Sequence, residues 1–214
     1  MEHFIIFDMD GVLVNTEPLQ YELWKETFAQ RGLEIDYDHY KGCIGSNPKR
    51  LMQLIWEGYG VDFREDTDIR PRYEALKKAY LLEHPAPAIE GAAETVRALK
   101  EKGYRMAVAS SSPQAYIEKF IAQLGLTDCF ELLFSADKVG GRAKPAPDVF
   151  LATAAALGAA PGDCVVIEDS HNGVLAARAA GMRVLGFPNP DSGEQDLSQA
   201  EVLFFPFREL LQHL

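Results

Sequence analysis

Two aspartates separated by a single methionine, Asp8 and Asp10, follow the apolar run Phe4 to Phe7 and are closed by Gly11. Three more polar groups end later apolar runs: Ser110 to Ser112, then Lys144 within a loop, then Glu168-Asp169. Carboxylates brought to one place repel one another and resist ionisation, so Asp8, Asp10, Glu168 and Asp169 together call for a cation. An all-oxygen donor set suits magnesium better than zinc. Lys144, the hydroxyls of Ser110 and Ser111, and the loop amides around Gly11 are the donors that hold phosphate oxygens. Asp8 is placed to attack phosphorus and form an aspartyl phosphate. Asp10, two residues on in an extended segment and so pointing the same way, is placed to give and then take a proton. Each residue also has a plainer reading. An aspartate after a strand is a turn former, Ser-Ser-Ser-Pro is a loop that starts a helix, a lysine before proline is solvated, and Glu168-Asp169-Ser170 caps the next helix. His171 has no second histidine at ligand spacing and reads as a helix-start residue.

What would bring these groups together is an open parallel sheet, in which ligands sit beyond the carboxyl ends of the strands. Short apolar runs at Phe4 to Phe7, Met106 to Ala109, Leu132 to Phe134, Cys164 to Ile167, Val184 to Phe187 and Val202 to Phe205 predict strands buried on both faces. Helical spacing over 91–102, 114–124, 147–157 and 172–180, each stopped by a glycine, supplies the crossovers. Strand and helix in alternation give an α/β fold with a Rossmann-like open parallel sheet.

One interval breaks this rhythm. Between the first strand and the next lie roughly ninety residues with no strand pattern, far more than one crossover needs. Segments 19–31, 48–59 and 69–83 read as helices, and His84-Pro85-Ala86-Pro87 reads as a stiff return linker. The expectation is a helical cap domain over 15–86, inserted into a core made of 1–14 and 87–214; a helical decoration packed immovably on the core is the plainer reading. A cap that closed would bring Gln20, Lys49, Arg50 or Lys78 to a substrate and exclude water.

The bulk composition narrows the partners. The chain has 214 residues, 47% hydrophobic and 25% charged, as a globular protein does, and its net charge of −11 repels nucleic acid and anionic membranes. A small phosphorylated metabolite can still bind where the local potential is positive. Cys43, Cys129 and Cys164 are odd in number and contain no CxxC, which fits buried thiols in a reducing compartment. The start Met1-Glu2-His3 has no basic leader, and Asp8 cuts the first apolar run far short of a membrane span. A cytoplasmic monomer is expected.

In order along the chain, "FDMDGVLVNTE", "VASSS", "GRAKPAPDVF" and "VVIEDSHNGVLAARAAGM" resemble the four motifs of the haloacid dehalogenase superfamily, and in particular its β-phosphoglucomutase-like phosphatases. The resemblance covers the whole chain. It implies Asp8 as nucleophile, Asp10 as acid and base, and Ser110 and Lys144 as phosphate holders. The implied magnesium ligands are Asp8, the Asp10 main-chain carbonyl and Asp169, with Glu168 assisting. Dehalogenating relatives lack an aspartate at the position of Asp10, so phosphoryl transfer is implied over carbon–halogen cleavage. Mutases of this type resemble the chain at Thr16 and Lys78. They have a histidine where Gln20 stands, however, and their distal-phosphate arginine has no secure match among Asn47, Lys49 and Arg50. A phosphatase acting on a small metabolite, such as a sugar phosphate, is the resulting expectation, with a mutase as the alternative. A binding protein that kept the core but lost the reaction would be expected to lack one of the aspartates. A phospho-accepting receiver domain would not need the insertion.

Overall fold

The computed structural model describes residues 4–43, 48–85, 87–140, 142 and 144–214. Six strands, β1 (Phe4–Phe7), β2 (Arg105–Ser110), β3 (Leu132–Ser135), β4 (Cys164–Glu168), β5 (Arg183–Gly186) and β6 (Val202–Leu203), form one parallel sheet in the order β3-β2-β1-β4-β5-β6. The fold is the expected α/β arrangement. Strand order reverses direction on either side of β1, so the switch point, where a crevice opens in such sheets, lies between β1 and β4. Register aligns Phe7 with both Val108 and Ile167. The residues just past β1 therefore stand beside the last residues of β4 and β2.

Residues alternate across the sheet. On one face Ile6, Ala107, Ala109, Val166 and Val184 join Val149, Phe150 and Ala154 of a helix at Asp148–Leu157 and Val174, Ala176 and Ala177 of a helix at His171–Ala179. Phe7, pointing the other way, meets Phe130 edge-on at 5.9 Å. Further helices span Ala92–Glu101 and Gln114–Gln123. The final strand is shorter than the apolar run Val202 to Phe205 suggested. Phe204 still donates its N–H to Gly186 O at 3.0 Å, but Pro206 has no N–H to continue the ladder, and Phe205 is left 54% exposed.

By contact density the chain divides into two compact units, Met1–Asn15 with Ala86–Leu214, and Thr16–Pro85. In the sheet unit the outgoing and returning chains run side by side: Asn15 N–H donates to Pro87 O at 2.7 Å, Ile89 N–H to Leu13 O at 3.1 Å, and Val14 bridges Ala88 antiparallel.

The other unit is helical, with helices at Glu17–Ala29, Tyr37–Tyr40, Pro48–Tyr59 and Ile69–Glu83. It has its own core, in which Trp24 stacks on Tyr73 at 4.0 Å and Phe28 packs against Phe63 at 5.3 Å. The Tyr37–Tyr40 turn has no signature in the sequence pattern, because four residues present no period. Asp36 starts it by accepting the His39 N–H at 2.9 Å. Cys43, Cys129 and Cys164 are free and buried. Among the described residues no helix is long and apolar enough to cross a membrane.

Candidate active site

At the switch point Asp8 is held past the end of β1 by its N–H, which donates to Ile167 O at 3.0 Å. Its carboxylate gathers with those of Glu168 and Asp169, with ligand atoms of all three within 4.8 Å of one another. All three residues are buried, Glu168 completely. Lys144 comes from the segment between β3 and the Asp148–Leu157 helix. Its Nζ donates to Asp8 Oδ1 at 2.6 Å and to Glu168 Oε1 at 2.5 Å, and lies 4.8 Å from the centre of the Phe150 ring.

The other oxygen of Glu168 accepts from Asp169 N at 3.1 Å, Ser170 N at 3.1 Å and Ser170 Oγ at 2.9 Å. Ser170 Oγ in turn accepts from Gly173 N at 3.1 Å and caps the helix. The plainer reading of Glu168-Asp169-Ser170 as a cap is thus true of Ser170, while the two acids serve the cluster. Gly173 has a packing role as well, because a Cβ there would fall 1.8 Å from Glu168 Oε1.

Asp10 faces the serines. Its Oδ2 accepts from Ser112 Oγ at 2.7 Å and Ser110 Oγ at 3.4 Å, so its carboxylate is not one of the three that gather. Ser110, the last residue of β2, is buried and accepts the Ser112 N–H at 3.0 Å. Ser135, at the end of β3, donates to Ser112 O at 2.8 Å and braces the loop from outside. Ser111 is exposed. The Gly11 N–H, expected as a phosphate donor, is instead committed to Val14 O at 2.7 Å. Gly11 matters in another way: its φ is +81° and a Cβ would lie 2.0 Å from Asp169 Oδ2.

The charges do not balance. Burial pushes the Asp8 carboxyl up to about 7; the Lys144 ammonium pulls the other way, and Glu168 and Asp10 add to the rise. Burial also opposes the Lys144 charge, but Asp8 and Glu168 outweigh it and raise its pKa. One ammonium thus faces several buried carboxyls, and its charge does not keep that of Asp8 in the usual carboxylate range. A buried set made only of oxygen donors, short of positive charge, fits a hard divalent cation.

A turn after β5 also reaches this edge. Asn189 and Ser192 are both buried; Asn189 Nδ2 donates to Gly11 O at 3.0 Å, and Ser192 Oγ donates to Asp169 Oδ2 at 2.5 Å. Asn15 Nδ2 donates to Asp191 Oδ2 at 2.6 Å. Sequence reasoning missed this turn, since Asn-Pro-Asp-Ser reads locally as loop chemistry alone. Its position after a strand of the same sheet was the available signal.

Of the residues expected to touch substrate from the helical unit, Gln20 and Arg50 have partners inside that unit. Gln20 Nε2 donates to Glu17 Oε1 at 2.8 Å and Gln20 Oε1 accepts from Tyr73 OH at 3.2 Å. Arg50 pairs with Glu57 at 3.7 Å, and Lys78 is exposed on the Ile69–Glu83 helix. Asn47 and the side chain of Lys49 lie outside the described residues.

Residues 3–181 match the family model of the haloacid dehalogenase-like hydrolases. The chain is 37% identical to the fructose-1-phosphate phosphatase YqaB of Escherichia coli (strain K12) over 180 residues, 83% of this chain and 92% of that one. It is 34% identical to hexitol phosphatase B of the same organism over 190 residues, 87% of this chain and 84% of the other. Among solved structures, a HAD family hydrolase from Deinococcus radiodurans R1 with bound phosphate and sodium superposes with a TM-score of 0.76 at 30% identity, covering 97% of this chain and 93% of that one.

Proposed function

Because the chain belongs to the haloacid dehalogenase-like hydrolases, we propose that it is a magnesium-dependent phosphatase of small phosphorylated metabolites, working through an aspartyl phosphate on Asp8. The observation that carries this reading is the buried meeting of Asp8, Glu168 and Asp169, with Lys144 bonded to two of them and Asp10 held by the serines that end the neighbouring strand. Asp8, Asp169 and the main-chain carbonyl of Asp10 are the proposed metal holders, with Glu168 beside them. A bound magnesium ion would screen Asp8 from the other acids and draw phosphate oxygens to the site.

Asp8 attacks phosphorus in line, and the bond from phosphorus to the ester oxygen breaks. Asp10, held by Ser112 and Ser110, gives its proton to the leaving alcohol. Asp10 then takes a proton from water as the water oxygen attacks the phosphoaspartate; the bond from phosphorus to Asp8 breaks, and inorganic phosphate leaves. Lys144 holds the Asp8 oxygen in place before attack and neutralises charge on the transferring group. Fructose 1-phosphate and hexitol phosphates, the substrates named for the two phosphatase relatives, are the first compounds to try. The helical insertion, 15–86, is proposed as the part that chooses among them. Hydrolysis is favoured over mutase chemistry by Gln20, a neutral amide held between Glu17 and Tyr73, which cannot serve as an acid or base near neutral pH.

The test is phosphate release from a panel of sugar and hexitol phosphates with millimolar magnesium, run on the protein and on Asp8→Asn. Turnover on at least one ester is expected, with a loss of about 10⁴-fold or more in the variant. Equal rates from the two proteins would remove Asp8 from the chemistry. Conversion of β-glucose 1-phosphate to an isomer in the presence of a bisphosphate primer, without net phosphate release, would show a mutase.

A further inference from the structure

We infer that the Asn189–Ser192 turn is a positioning element for Asp169, and that the Ser192 hydroxyl sets how tightly the site holds its divalent ion. This rests on the metal-dependent reading above.

The turn is fastened at several points. Asn189 Nδ2 donates to Gly11 O at 3.0 Å while its Oδ1 accepts Asp191 N–H at 3.0 Å, and Ser192 N–H donates to Asn189 O at 3.1 Å. Asn15 Nδ2 holds Asp191 Oδ2 at 2.6 Å. Gln195 Nε2 donates to Ser192 O at 2.9 Å, and its Oε1 accepts the His171 N–H at 3.0 Å, which ties the segment to the start of the helix behind Asp169. With the backbone N–H and carbonyl of Ser192 both satisfied inside the turn, its hydroxyl is left to reach outward. It meets Asp169 Oδ2 at 2.5 Å, 23 residues away in sequence, with Ser192 only 2% exposed.

The same oxygen is close to Gly11, where a Cβ would sit 2.0 Å from it. Asp169 Oδ2 therefore meets both the Gly11 backbone and the Ser192 hydroxyl, and the same turn grips Gly11 through Asn189. A neutral donor suits this place. It fixes the carboxylate's rotation without adding a positive charge that would repel a cation.

The experiment is calorimetric titration of magnesium into the metal-free full chain, for the unaltered protein and for Ser192→Ala and Asn189→Ala, alongside thermal midpoints of the metal-free proteins. Hydrolysis is measured against magnesium concentration for the same set. Ser192→Ala is expected to weaken magnesium binding roughly tenfold. The magnesium concentration giving half-maximal rate should rise in step, and kcat should recover at saturating metal. Asn189→Ala should weaken binding in the same direction, because it frees the turn from Gly11. Unchanged or tighter magnesium binding in Ser192→Ala, with or without a lower thermal midpoint, overturns the inference and leaves Ser192 a purely structural part. If the unaltered protein binds no magnesium at all, the metal-dependent reading falls, and this one falls with it.

Discussion

In the sheet unit Lys144 reaches Asp8 and Glu168, 136 and 24 residues away in sequence, and the three side chains are 9% exposed or less. In the helical unit Arg72 pairs with Asp68 four residues before it at 2.5 Å, with the two side chains 45% and 54% exposed. Lys41 with Asp38 repeats the same local, solvated pattern. Distance and chemistry are similar in these pairs, and only the surroundings differ. Taking charges out of water costs several kcal/mol per ion, and mutual attraction rarely returns more than that, so a buried cluster is a poor way to stabilise a fold. Its presence at the switch point of the sheet speaks for chemistry. Exposed pairs cost little and contribute little, and they leave a surface free to change. The sheet unit therefore holds the acids and the lysine that the proposed reaction needs, while the Arg72–Asp68 and Lys41–Asp38 pairs of the helical unit are solvated.

The contrast can be broken first at Lys144. Lys144→Met leaves Asp8 and Glu168 buried without their cation, and the metal-free protein should lose about 3 kcal/mol of stability in urea unfolding, with magnesium restoring part of it. A loss below about 1 kcal/mol would make the buried pair no different from a surface one.

The second, smaller effect is a pH dependence. The unfolded chain releases the Asp8 proton near 3.8, whereas the folded metal-free protein keeps it up to about 7. Between these values the folded state binds the extra proton, so the Asp8 contribution falls as pH rises through this window and levels off above it. The exposed carboxyls of Asp36 and Asp62, lowered to about 2 by hydrogen bonds from His39 and Arg64, have finished titrating in the folded state below this range. The urea midpoint in EDTA should be lower at pH 7.5 than at pH 5, and magnesium, which binds the ionised form, should narrow the difference. A midpoint that rises with pH in EDTA would contradict the burial argument. Smallest of all, Arg72→Ala should change stability by less than about 0.5 kcal/mol, because its pair with Asp68 is solvated.

Much of this site was legible because a parallel sheet brings the residues after its strands to one edge. Asp8, Asp10, Ser110, Glu168 and Asp169 stand out in the sequence as the polar residues that end successive apolar runs. Contacts that depend on loop paths leave no such trace. Nothing local in Asn-Pro-Asp-Ser says that Asn189 will meet Gly11, 178 residues earlier, or that Ser192 will hold Asp169. Ser112 reads beside its neighbours as one more phosphate donor, and only the fold turns its hydroxyl onto Asp10. The helices read over 48–59 and 69–83 are found at Pro48–Tyr59 and Ile69–Glu83. The sixth strand was overdrawn because apolar composition marks burial as readily as it marks pairing.

At positions 11 and 173 the acids occupy the space where any larger residue would begin. A methyl group at either place would force the oxygens of Asp169 or Glu168 to move, and at 11 it would also have to sit on a backbone conformation that side chains rarely adopt. The two glycines thus belong to the acid cluster as much as to the backbone that carries them.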